Sequence, residues 1–245
     1  MPRRGVSCGW FGRISVFVQS LGVNPVGVLD ELDRRILEYS VENSAAMRGF
    51  ASGQIRPSAT LELARQYYPV CIEFPLFLAA AISHVREERS RLLLVANLYE
   101  EHGNLDPTRT HPTLFRKYIH ALGLRPQALA KAGEGSIGAR VCERFSTVCR
   151  EGPDYRAVAM LYAFETLFSP ACAMVASGLR RLPLPEEAVV FFDVHAETDL
   201  THAEQLRASL VEACRSEHDW SVAIETAAEA GRLLHALFDS VANAA

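Results

Sequence analysis

Apolar residues recur every three to four positions along almost the whole chain, which is the period of an amphipathic helix. The first such stretch covers 26–42, with Val28, Leu29, Leu32, Ile36 and Leu37 on one side. A long helical region follows over 58–84, where Pro69 and Pro75 predict a kink or break. Further helices are expected over 87–102, closed by Gly103, and over 112–122, 126–131 and 137–150. "EGPD" punctuates the pattern, and Asp154 is placed to cap a long helix reaching 179. After "RLPLPEE", Pro185 and two glutamates open a helix that continues to 214. "RSEHDW" breaks it, with Ser216 or Asp219 as the cap of a last helix ending near 242. No alternating strand pattern and no Asn-Gly or Asp-Gly hairpin turn occurs. The expected fold is all-α, one bundle of about eight helices.

Composition narrows the class of protein. The 245 residues suffice for a sizeable core, and 49% hydrophobic with 22% charged residues is ordinary for a globular chain. A net charge of -4 without a long basic run gives no support to nucleic-acid or membrane-surface binding. No run of about 20 uninterrupted apolar residues points to a membrane span. Residues 1–20 lack the apolar core and cleavage site of a signal peptide and read as a loosely ordered arm before a helical domain over 21–245. None of the six cysteines forms a C-x-x-C pair, which argues against structural zinc. Most have apolar neighbours, as reduced thiols do, so a cytoplasmic protein is expected.

Several polar residues stand where the pattern calls for core. In "FFDVHAETDLTHAEQL" (191–206), setting His195 at zero puts Asp199 near 40° and His202 near -20° at about 100° per residue. Phe191, Phe192, Leu206 and Leu210 share that side, whereas Asp193, Glu197 and Glu204 fall opposite, on the solvated face. A buried carboxylate needs a cation or a hydrogen-bonding partner. His195, Asp199 and His202 are therefore either a satisfied core network or three donors to one metal. Glu165, in "MLYAFETLFSP", has apolar neighbours on nearly all sides and fits an ion pair as well as a metal. Glu100 and Glu101 end the helix "LLLVANLYEE"; they point about 100° apart, so only one of the two faces the core. Acid at a helix C-terminus also opposes the macrodipole. Glu73 is a further carboxylate in apolar company, between two prolines. His84, His120 and His235 stand alone and read as structural or surface residues, and no nucleotide-binding or nucleophile-elbow motif occurs.

In chain order, "NLYEEHG", "HPTLF", "YAFE" and "FFDVHAETDLTH" together resemble the haem-oxygenase-like diiron oxidases and oxygenases, over about residues 66–210. The resemblance implies a single-domain haem-oxygenase-like bundle of seven to eight helices with two iron ions in its core. Carried over residue by residue, it implies Glu101, His111, Glu165, His195, Asp199 and His202 as ligands, with Glu73 as a possible extra carboxylate. The mixed imidazole and carboxylate set, without thiolate, suits iron or manganese. It further implies two-electron reduction of O2, as cosubstrate, across the irons to oxidise a small-molecule metabolite. N-oxygenation of an amine towards hydroxylamine or nitro products is the leading expectation, because Glu73 would supply the extra carboxylate. Carbon–carbon cleavage of an amino acid or fatty acid is the alternative, and a metal-free cofactor-handling or interaction protein of the same fold is a third. An external electron donor and a homodimer are compatible partners.

Overall fold

The computed structural model describes residues 25–132 and 135–242. The expected N-terminal arm, residues 1–20, lies outside the described residues. Ten α-helices and no strand are found among those described: α1 (Pro25–Leu37), α2 (Ala45–Ser52), α3 (Pro57–His84), α4 (Glu88–Glu101), α5 (His111–Ala121), α6 (Pro126–Ala132), α7 (Ile137–Glu151), α8 (Asp154–Leu179), α9 (Val190–Ala213) and α10 (Glu217–Ala242).

α8 is the axis of the bundle, with α9 and α10 packed along it and α3 lying against α7 and α4. By length and composition α8 could cross a membrane, but its apolar surface forms the core: 78% of its most apolar 18-residue window is buried. Around it the aromatic side chains form one continuous layer. Tyr67 of α3 stacks on Phe168 of α8 at 4.7 Å between ring centroids, and Phe115 of α5 meets Phe191 of α9 edge to face at 4.8 Å.

Three local features depart from the sequence pattern. α3 is one helix of 28 residues that runs through Pro69 and Pro75 without a break. Its buried residues, Tyr67 to Leu78 among them, pack on several neighbours, and that packing outweighs the missing backbone donors. Gly138, at the start of α7, lies so close that a Cβ there would come within 1.9 Å of the Gln66 carbonyl oxygen of α3. Its N–H instead donates to Gln66 Oε1 at 3.1 Å. The first helix stops at Leu37, and the short α2 follows, capped by Ser44 and closed by Gly53 at φ 72°. Its small residues hid it from the periodic pattern, yet Met47 and Phe50 are fully buried.

Helix starts follow capping chemistry. Ser216 Oγ accepts the Asp219 N–H at 3.1 Å, and Asp219 Oδ2 accepts the Arg215 N–H at 2.8 Å, so both expected residues secure α10. At α8 the cap position falls on Pro153, and Asp154 is the first helical residue, its acid still favourable to the dipole. Pro185 precedes a 3-10 turn, Glu186–Ala188, and α9 begins after it.

Candidate metal centre

Four helices carry the six expected donors to one buried place. Glu101 ends α4, His111 begins α5, Glu165 sits midway along α8, and His195, Asp199 and His202 follow one face of α9. All six are buried, Asp199 completely. They form two groups of three, Glu101 with His111 and His195, and Glu165 with Asp199 and His202; within each, one donor atom per residue lies within 4.8 Å of the others.

The histidine rings are oriented for this. His195 Nδ1 lies 2.8 Å from the Phe191 carbonyl oxygen one turn back, a hydrogen bond that turns Nε2 towards Glu101 Oε1, 3.9 Å away. His202 does the reverse: Nε2 lies 3.1 Å from Glu100 Oε2, and Nδ1 faces Glu165 and Asp199 at 3.8 and 3.9 Å. His111 Nδ1 is 2.8 Å from Glu101 Oε2 but makes no hydrogen bond of acceptable geometry. Its ring stands edge-on to His195, 4.3 Å between centroids.

Electrostatics set this pocket apart from a satisfied core. Burial pushes the Glu101 and Glu165 carboxyls up to about 7, with the neighbouring histidines pulling less strongly the other way. Asp199 is held well above the ordinary carboxylate range by burial, then by Glu165 and Glu101. Burial likewise lowers His111 to about 4 and His195 to about 3. Four buried polar atoms here, Asn97 Oδ1, His111 Nδ1, Asp199 Oδ2 and His202 Nδ1, have no hydrogen-bond partner among the described residues. Buried polar atoms are normally paired. Three acids and three imidazoles converging with orphaned lone pairs fit divalent cations, which would compensate the charge and take up those lone pairs. Nearby Cys71 and Cys172 are fully buried thiols with pKa values raised chiefly by burial, so thiolate is no competitor for the role.

The residue profile of the iron-containing redox enzymes matches positions 61–235, nearly all of the helical bundle. The chain belongs to that family. The chain is 26% identical over 216 residues to the 4-aminobenzoate synthase of Chlamydia trachomatis serovar D, covering 86% of this chain and 90% of that one. It is 20% identical over 178 residues to the 4-chloro-allylglycine synthase of Streptantibioticus cattleyicolor, covering 73% of this chain and 68% of that one. A solved domain with a heme oxygenase-like fold from Shewanella denitrificans superposes with a TM-score of 0.70 over 89% of this chain and 92% of that one, at 14% identity. The haem-oxygenase-like bundle is thereby confirmed for this iron-containing redox enzyme.

Three further residues join the site. Asn97 Nδ2 donates to Glu165 Oε1 at 3.0 Å, fixing that carboxylate from α4. The spacing held the signal: Asn97 is one turn before Glu101, on its buried face. Glu100 engages His202 from outside, and Thr198 donates to Asp199 Oδ1 at 3.3 Å. Glu73 is in neither donor group. It is half-buried on α3, turned to α7, where it adds to the burial that raises the Cys142 thiol. The register of α3 sends Tyr67, Cys71 and Phe74 to the core and leaves Glu73 beside them.

Proposed function

We propose that this chain is an O2-dependent non-haem diiron oxidase or oxygenase acting on an amine-bearing small metabolite. The observation that carries the reading is the pair of adjoining three-donor groups, each combining carboxylate and imidazole, with lone pairs left unpaired inside the core. Glu101, His111 and His195 would hold one iron, and Glu165, Asp199 and His202 the other. Ferrous ions held there would supply the electrons for the reduction of dioxygen. The chain does the rest. Asn97 holds Glu165, the Phe191 carbonyl and Glu100 set two imidazole rings, and burial with Glu165 and Glu101 disfavours the ionised form of Asp199 when the centre is metal-free. Phe168 and Phe191 pack against His195, at 5.3 and 4.2 Å between centroids, and exclude water from that side.

The curated relatives are named as synthases of 4-aminobenzoate and of 4-chloro-allylglycine, both small amine-bearing products, which supports this substrate class. The case for oxygenating the amine nitrogen leans on Glu73, and Glu73 stands apart from both groups, so N-oxygenation rests on the family chemistry alone. Carbon–carbon cleavage is favoured as a second reading by the relationship to a synthase of an unsaturated amino acid. The deciding experiment is anaerobic ferrous loading with metal analysis, then oxygen uptake and product mass across a panel of amines and amino acids. Two irons per chain and substrate-dependent oxygen uptake are expected. A chain that takes up no metal overturns the reading. A product heavier by oxygen at nitrogen supports N-oxygenation, whereas a shortened carbon skeleton supports cleavage.

A further inference from the structure

α9 presents two neighbouring ridges. One carries His195, Asp199 and His202 inward; the other, with Val190, Val194, Glu197 and Thr198, faces a separate cleft of about 420 Å³. The cleft touches the metal centre twice. His111 is a donor on one side and cleft wall on the other, and Glu100, the partner of His202, lines it as well. It reaches the surface through three exposed charged residues, Arg109, Lys117 and Glu197.

Arg109 is put there by a shaped loop. Gly103, Asn104 and Leu105 have successive positive φ angles of 64°, 55° and 68°, conformations costly for the latter two residues. A Cβ on Gly103 would meet the Arg109 carbonyl carbon at 2.6 Å, so the loop folds tightly back on itself at the cleft. Among the described residues neither the Arg109 nor the Lys117 side chain makes a hydrogen bond or ion pair; the Arg109 charge helps to keep the nearby Asp106 carboxyl low, after that carboxyl's hydrogen bonds to Thr108. Lys117 lies six residues beyond His111, about 9 Å along the axis of α5.

Resting on the reading of the adjoining centre as an oxidising one, we propose that this cleft is the substrate site and that its substrate is an amino acid. Arg109 and Lys117 hold the carboxylate, and Glu197 and Glu100 face the amine. Two cations and two carboxylates over an apolar floor match a zwitterion. A phosphate dianion would meet both glutamates, and a fatty acid would leave them facing hydrocarbon.

The test is calorimetric binding to the full chain, iron-loaded and air-free, and also metal-free. Common L-amino acids are compared with the amines that their decarboxylation leaves. At least one amino acid should bind better than its amine by about ten- to a hundredfold, the worth of charge-assisted hydrogen bonds. Arg109→Gln and Lys117→Met should each erase most of that difference with metal content unchanged. Amines binding as tightly as their parent acids, or no amino acid binding, would overturn the proposal, as would a preference that survives both substitutions. Metal content of the same samples reports separately on the oxidase reading. Acid preference without metal uptake sinks that reading and leaves the cleft assignment; full metal uptake without acid preference does the opposite.

Discussion

His202 lies between Glu100 and the pair Glu165 and Asp199, its Nε2 3.1 Å from Glu100 Oε2 and its Nδ1 facing the two inner carboxylates. Glu100 thus selects which imidazole nitrogen is offered to the core. Glu100→Ala should weaken metal binding at the group containing His202 by about 10- to 100-fold, the usual cost of losing such an outer partner. Glu100→Gln, which keeps a hydrogen-bonding side chain, should lose less. Competition with a chelator measures both, and helix content should not change because Glu100 is half-exposed. Equal affinity in all three proteins would mean that the ring needs no such orientation.

Glu165 and His195 belong to different donor groups. Glu165→Ala and His195→Ala should each lose one metal of the pair and all substrate-dependent oxygen uptake, with far-ultraviolet dichroism close to the parent. The His195 variant should also lose stability, by about 2–4 kcal/mol, because the ring is wedged among Phe168, Phe191 and His111 and leaves a cavity. Retention of both metals by either variant would contradict the grouping.

The α9 donors were legible in the sequence because three polar residues at i, i+4 and i+7 share an apolar stripe, a conflict that one helix displays by itself. Their partners were not. Glu101, His111 and Glu165 lie far apart in the chain, and only a family resemblance joined them before the structure did. Periodicity left Glu100 and Glu101 open because adjacent residues differ by a rotation that an unplaced helix cannot fix; the structure puts Glu101 inside and Glu100 behind His202. Pro69 and Pro75 signalled a break that tertiary packing overrode. The cleft was invisible because Arg109, Lys117 and Glu197 come from a loop and two helices, each an ordinary surface charge alone.

Packing of α7 on α3 gives a prediction independent of any metal. Gly138→Ala places a methyl group 1.9 Å from the Gln66 carbonyl oxygen, and backbone, not a flexible side chain, must move. A loss of about 1–3 kcal/mol or more is expected, as for other overpacked sites. Gly49→Ala is the control. There the new Cβ would be 3.4 Å from the nearest atom, inside α2, and the helix preference of alanine should leave stability level or raise it by up to about 1 kcal/mol. Urea denaturation of the two variants should therefore shift in opposite directions or by clearly unequal amounts.

The metal-free centre holds three acids in conflict, and Asp199 reports on it. Its carboxyl is raised well above the ordinary range, first by burial and then by Glu165 and Glu101, so ionising it costs folded stability. That contribution is intact below the unfolded value of about 4 and is lost as pH rises above it. Asparagine cannot ionise. Metal-free Asp199→Asn should accordingly gain on the parent in stability as pH rises from 5 to 8. Saturating manganese or ferrous ion should reverse the order, because binding at about a hundredfold excess over Kd adds about 2.7 kcal/mol to the parent and less to a variant missing a ligand. Urea unfolding at both pH values, air-free, with and without metal, measures all four terms. If the pH dependence of the metal-free variant parallels the parent's, Asp199 is at ease without a cation and the centre has lost its main electrostatic reason to bind one.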